Sequence, residues 1–407
     1  MNAETTSSTR LLDPPRLREW SQVRPWAGLV HLFLEYVCVA LVAGAAIEFH
    51  LLRGAWGLGP FWEVGVILVA AFLVGCLQHR IGLIGHEASH GLLVPDRFWN
   101  DRLANLLIFY PLFSSISMYR KRHLSHHLHP NDPEHDLNLS GGKLERIWAR
   151  FPMSKERFTH QFFLKFFWPP FVLRNLLDLF SVLAVENKNS AANRGAAVAR
   201  PGRLGAVYFV VVALILVVAC WQGSASWGAV SLCYMLALMV WAVLPSESFP
   251  NAGRFAGSSK TAALLRLSFS TLLILGLGWL AQRFGGWVIW AYCLLWVFPL
   301  VYVFPYLMLL REIYQHANAG TGAIDNSRIL HVDPFTRWAL LGYGNDLHVI
   351  HHLYPNIPHD RLAEVHETLM RESGAYRENV QQTYGVMRSS ETEQSLLDSF
   401  SVKRVEK

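Results

Sequence analysis

Six apolar stretches, about residues 27–51, 57–78, 205–222, 226–245, 262–281 and 286–310, constrain this chain more than any other feature. At 1.5 Å of rise per residue, about 20 apolar residues cross the roughly 30 Å hydrocarbon layer of a bilayer, and each of the six reaches or approaches that length. Composition agrees, with 52% hydrophobic residues against 16% charged, which is apolar for a water-soluble chain. The first two stretches are parted by a short turn around Arg53, the third and fourth by Gly223 to Ser226, and the fifth and sixth by Gln282 to Gly286. The expected fold is an all-α integral membrane protein built from three helical hairpins. The segments on the other side are longer, polar and basic: the N-terminus with Arg10, Arg16, Arg18 and Arg24, residues 79–204 with Arg120, Lys121 and Arg122, residues 246–261, and everything after 310. Basic loops face the cytoplasm, so both termini are expected there. Segments 103–118 and 162–184 are apolar but interrupted by Pro111 and by Lys165, Pro169 and Pro170; they read as interfacial or re-entrant pieces.

Three histidine clusters fall in the polar segments: His86-Glu-Ala-Ser-His90, His123-Leu-Ser-His126-His127 and His348-Val-Ile-His351-His352. Positions i, i+3 and i+4 share one face of a helix, so each cluster aims two or three imidazoles at one point. All three lie on the same side of the expected topology; an odd number of spans between residues 127 and 348 would have split them across the membrane. Eight imidazoles exceed the four ligands of a tetrahedral zinc site and suit a pair of metal ions with five or six ligands each. Imidazole binds iron, copper, nickel and zinc, so ligand type alone does not choose among them. A redox metal at the mouth of an apolar bundle can reach a lipid chain inside it, which points to oxygen activation and attack on an unactivated C–H bond.

The clusters and their flanks together resemble the membrane-bound fatty acid desaturase and hydroxylase superfamily. The resemblance runs over roughly residues 30 to 370 and rests on His86 to Gly91, on Tyr119-Arg-Lys-Arg-His123 to His127 followed by Asp132-Pro133, and on Asn345-Asp-Leu-His348 to Pro355. It implies two non-haem iron ions bound by the histidine boxes, dioxygen as co-substrate, and electrons from a ferredoxin or cytochrome b5. A further histidine stands in that family at the cytoplasmic end of the last membrane helix; Arg311-Glu-Ile-Tyr-Gln315-His316 is similar to that element and makes His316 the ninth implied ligand. Many relatives have four spans, so the bundle is expected to hold four to six, capped by a cytoplasmic histidine-rich helical domain. The chain divides accordingly into a cytoplasmic segment 1–26, a membrane desaturase-like domain 27–370 and a cytoplasmic tail 371–407.

Glu87, Arg311, Gln315 and Asn345 are candidates to orient the metal-binding rings from behind; Gln315 stands where many relatives carry Glu. His31, His50, His79, His129, His135, His160, His331, His359 and His366 have no partner at ligand spacing that the boxes do not already supply. The expected reaction is double-bond formation in a long acyl chain, presented as lipid, acyl-coenzyme A or acyl-carrier protein. Hydroxylation or ketolation of an acyl, sphingoid or carotenoid substrate is the alternative, and no substrate-binding residue can be named. Two other classes fit less of the chain. His86-Glu87-Ala-Ser-His90 also matches the His-Glu-x-x-His of zinc metalloproteases, which would leave six box histidines without a purpose. A haem protein or metal transporter would carry its ligands within facing spans.

The donor is expected to be a separate protein, because the chain has neither a His-Pro-Gly-Gly cytochrome b5 signature nor a Cys-x-His Rieske pair. The five cysteines, Cys38, Cys76, Cys220, Cys233 and Cys293, sit inside apolar spans without paired spacing and read as packing residues. A net charge of +6 follows from basic loops facing anionic lipid, and no nucleic-acid partner is expected. The first 26 residues are polar and do not read as a signal peptide; residues 186–203 and the tail beyond about 388 read as flexible connectors.

Overall fold

The structure, a computed structural model, describes residues 11–139, 143–168, scattered positions between 170 and 218, 227–246, 259–387 and 393–401. It is 71% helical with almost no sheet. Its main helices are α1 (Pro14–Trp20), α2 (Ala27–Leu52), α3 (Pro60–Ser89), α4 (Arg97–Ala104), α5 (Ile116–Leu128), α6 (Trp227–Val243) and α7 (Ser259–Phe284). A last long helix, α8 (Trp287–His316), contains a five-residue π-turn at Cys293–Val297. Beyond it come β1 (Arg328–His331), α9 (Pro334–Leu340), α10 (His348–Leu353), α11 (Leu362–Glu372), β2 (Gln381–Tyr384) and α12 (Leu396–Ser401).

Four helices are long and apolar enough to cross a membrane: α2, α3, α7 and α8. Phe33, Leu41, Leu68, Val69, Leu272 and Trp290 all face outward, a surface that only lipid covers without cost. Of the other two expected spans, 226–245 is the shorter apolar helix α6, and half of 205–222 lies outside the described residues, as do most of 162–184 and all of 186–203. The protein is therefore an all-α membrane protein, with four helices long and apolar enough to span among the described residues.

The second and last spans run further than their apolar stretches. Each is 30 residues long, about 45 Å at 1.5 Å per residue, so some 15 Å projects beyond a 30 Å hydrocarbon layer. The sequence puts the first histidine cluster in the polar segment that begins at residue 79; in the structure His86 lies on α3 itself, with His90 as its C-cap. Nothing breaks the helix at residue 78, where apolarity falls but helix propensity does not.

Helix α3 is the axis of the bundle, packed between α2 and α8. Gly75 makes this possible: a Cβ there would sit 2.3 Å from Cβ of Val303, so any larger residue would force α3 and α8 apart. The π-turn of α8 frees the carbonyl of Trp296, which accepts a hydrogen bond from the Gln78 amide at 2.8 Å, and a second π-turn at Asn105–Phe109 frees that of Leu107 for the Tyr36 hydroxyl at 2.6 Å. Such pairing is required where no water reaches. It seats the segment around residues 105–111 between α2 and the α8 π-turn, where the Trp296 indole also donates to the carbonyl of Pro111.

Outside the bundle a second core gathers Leu12, Trp20, Ile329, Val349, Ile350, Leu362, Val365, Leu369 and Tyr376. Strands β1 and β2 pair in parallel, Arg328 opposite Gln381. The C-terminal part is no loose connector where it is described: Leu396, Leu397 and Phe400 of α12 are fully buried, and Lys155 pairs with Asp398 at 2.7 Å. Three apolar residues within five positions are enough to dock one short helix once a groove is there to receive it.

Candidate metal centre

The projecting end of α3 is held by side chains from α4 and α5. Arg120, buried, donates from Nε to the carbonyl of Ser89 at 2.7 Å and reaches that of Ala88, while its other nitrogens grip Asp101 of α4 at 2.6 and 2.7 Å. Asn100 donates to the Ala88 carbonyl at 2.8 Å. The carbonyls at a helix C-terminus have no partner of their own, and supplying them from α5 brings His123 beside His86 and His90. The same arginine three residues before His123 thus docks one histidine helix on another.

The nine histidines named from sequence and resemblance come together, but at two points. His86, His90, His123, His127 and His351 form one group; His126, His316, His348 and His352 form the other, and within each group the ligand atoms lie within 4.8 Å of one another. The expectation that each cluster aims at one point is corrected by helix geometry. At 100° per residue, i+4 lies about 40° to one side of i and i+3 about 60° to the other. Accordingly His123 and His127 serve the first group and His126 the second; His348 and His352 serve the second and His351 the first. In the first group Nε2 atoms approach at 2.8 Å (His90–His123), 3.0 Å (His123–His127) and 3.1 Å (His127–His351). In the second the distances are 3.1 Å (His126–His316) and 3.2 Å (His348–His352).

These contacts are not a hydrogen-bond network. Nε2 of His123 and Nε2 of His127 each face two other ring nitrogens, and a single imidazole nitrogen either donates once or accepts. Burial, followed by the mutual repulsion of neighbouring rings, pushes His123, His127, His348, His351 and His352 well below the usual histidine range, and burial with Arg120 nearby takes His90 to about 3. Rings held neutral keep their lone pairs for a cation. The donor set therefore fits two divalent transition-metal ions, one with five imidazoles and one with four.

His126 differs. Burial opposes its charge, but a hydrogen bond from Nδ1 to Asp136 Oδ2 at 2.7 Å, with Glu312 and Asp136 adding attraction, outweighs it and raises its affinity for a proton. Asp136 is fully buried and orients this ring, as carboxylates behind metal-binding histidines do. Sequence reasoning named Asp132 as part of the second box's flank and missed Asp136; the signal was a carboxylate ten residues beyond His126 on the turn leaving α5. Asp132 serves that turn, accepting from the backbone of Glu134 and facing the His135 ring at 2.8 Å. On the other side His316 turns Nδ1 to the carbonyl of Asn326 at 3.0 Å. Asp136→Asn is expected to lower metal affinity by about 10–100-fold, read by competition with a chelator; unchanged affinity would show that the hydrogen bond orients nothing.

The other candidates act at greater remove. Glu87 lies 3.8 Å from Nδ1 of His86, too far for a hydrogen bond, and gives Oε2 to the backbone N–H (3.1 Å) and ring (3.3 Å) of His359. The histidine it orients is thus not a box residue. Gln315 donates to the backbone and side chain of Asn345, tying α8 to the turn before α10. Arg311 is buried beside Glu312. His31, His50, His79, His129, His135, His160, His331, His359 and His366 belong to neither group among the described residues; His331, for example, faces Gln382 and stacks on Tyr384, and His366 meets the Tyr376 hydroxyl.

An all-α bundle with four helices long enough to span, carrying two all-histidine clusters on helices and at one helix end, defines a histidine-box membrane protein with a candidate dinuclear metal centre. The fatty acid desaturase family model matches residues 60–249 and 244–384, and the chain belongs to that family. Among curated proteins it is similar to the dihydrorhizobitoxine desaturase of Bradyrhizobium elkanii, with 30% identity over 125 residues, which is 30% of this chain and 32% of that protein. It is also similar to a Delta 8-(E)-sphingolipid desaturase of Emericella nidulans, 28% identical over 95 residues, 23% of this chain and 17% of the relative. The matched region thus spans about a third of the first relative and about a sixth of the second.

Proposed function

We propose that this chain is an oxygen-dependent oxidoreductase with a dinuclear iron centre that introduces a double bond into a long acyl chain. The observation that carries the reading is the pair of adjacent, buried imidazole clusters at the mouth of an apolar bundle. Iron bound there would supply dioxygen activation and hydrogen removal from an unactivated carbon, chemistry that amino-acid side chains cannot perform. The protein's own part is to hold nine imidazoles together and to exclude water from them. His86, His90, His123, His127 and His351 would hold one ion, and His126, His316, His348 and His352 the other. Both relatives are named as desaturases, which favours double-bond formation over oxygen insertion.

On this reading dioxygen, two electrons, two protons and a –CH2–CH2– segment give a double bond and two waters. The electrons come from a separate ferredoxin or cytochrome b5, and the substrate is a lipid or an acyl group on coenzyme A or carrier protein. Residues 27–370 form the catalytic domain, and the boxes and both termini lie on the cytoplasmic side. The test supplies labelled dioxygen to membranes with a reducing partner and analyses the product by mass spectrometry. An unlabelled product two mass units lighter is expected; one labelled oxygen retained on the chain would replace this proposal with hydroxylation.

A further inference from the structure

We infer that Glu312 is a tenth protein ligand, completing the four-histidine cluster so that each metal has five donors. This rests on the dinuclear reading above and extends it to a residue that neither the spacing of the boxes nor the resemblance names. Glu312 stands one helical turn before His316 on α8, and positions i and i+4 share a face, so the helix that presents His316 carries Glu312 on the side that faces the cluster. Its Oε1 lies 4.0 Å from Nε2 of His126, the nitrogen that faces His316. Two donors that each sit about 2.1 Å from one ion can be no more than about 4.2 Å apart, so this pair is within reach of a shared cation; Glu312 stands outside the set of ligand atoms that lie within 4.8 Å of one another, and its carboxylate would turn toward the ion on binding.

The other oxygen is held from behind: Oε2 lies 3.5 Å from the guanidinium of Arg311. The Arg311 side chain is buried and that of Glu312 half-buried, at 6% and 12% exposure. The other two carboxylates near the rings are committed elsewhere: Asp136 to Nδ1, the rear nitrogen of His126, and Glu87 to His359. Charge argues the same way. Imidazole ligands carry no charge to offset two divalent ions, Asp136 reaches only the rear nitrogen of His126, and Arg311 adds a third buried cation; a carboxylate in direct contact relieves a cost that low dielectric makes severe.

The experiment compares purified full-length protein with Glu312→Ala and the nearly isosteric Glu312→Gln, loading each with iron-57 and measuring metal content and Mössbauer spectra. The parent is expected to bind two irons per chain as two distinct sites. Both variants should keep the five-histidine iron and lose affinity for the other by at least about 100-fold, more than the loss of an orienting hydrogen bond alone causes. If Ala fails to fold, the Gln variant carries the test, since it preserves shape and removes charge. Two irons with an unchanged spectrum in Glu312→Gln would overturn the inference. A parent that binds one metal or none would instead overturn the dinuclear reading itself.

Discussion

His126→Ala is expected to abolish activity and strip the protein of at least one metal while leaving it inserted in the membrane. His126 is the residue where the second cluster is most tightly built: its Nε2 faces His316 at 3.1 Å and its Nδ1 is held by Asp136 at 2.7 Å. Removing the ring deletes a ligand and leaves Asp136 a buried carboxylate without its partner. Loss of affinity by well over 100-fold follows, since disturbing an orienting partner alone costs 10–100-fold as a rough range. Insertion depends on the apolar faces of α2, α3, α7 and α8, and His126 meets α8 at its last turn, at Glu312 and His316. The measurement is iron per chain and turnover in purified membranes, with His331→Ala and His160→Ala as controls expected to keep both. Full iron content in His126→Ala would refute the cluster assignment, and loss of iron in either control would show that it is incomplete.

The largest effect on stability is expected from Arg80→Ala. On α3, Arg80 meets Glu35 of α2 at 2.6 and 2.8 Å, donates to the carbonyl of Trp338 at 2.9 Å, and lies over the rings of Tyr343 and Trp338 at 5.0 and 5.6 Å. The Tyr343 hydroxyl closes the network by donating to Glu35. Four residues thus tie two spanning helices to the loop that leads into the third histidine box. Glu35 is 4% exposed, and deleting its partner would leave a buried charge, at a cost of about 3–5 kcal/mol. A fall of about 5–10 °C in Tm in detergent is expected. Because an apolar pair can replace a buried ion pair without loss, Arg80→Met with Glu35→Leu should recover most of it. An unchanged Tm in Arg80→Ala would show that the pair is solvated and carries little.

Some of this was legible in the chain because it is local. Apolar length alone identified α2, α3, α7 and α8, and i, i+3, i+4 spacing alone marked eight histidines as one functional set; His316 needed the resemblance, since a single histidine at a helix end carries no spacing signal. What lay beyond local pattern was read less well. Helix α3 outruns its apolar stretch because a helix ends where its hydrogen bonds or caps end, not where its hydropathy does. The tail holds α12 because a groove formed by distant elements accepts Leu396, Leu397 and Phe400.

The sequence by itself determined that helices would be long and apolar enough to span and that the box histidines would gather into one functional set, both consequences of periodicity and length. Only the tertiary structure decided that the nine rings divide five and four, that Asp136 stands behind His126, and that Glu87 turns away to His359. Those outcomes depend on where the face of one helix points relative to another, and that angle is set by long-range contacts such as Gly75 against Val303 and Arg120 on the end of α3, which no spacing within a single helix encodes.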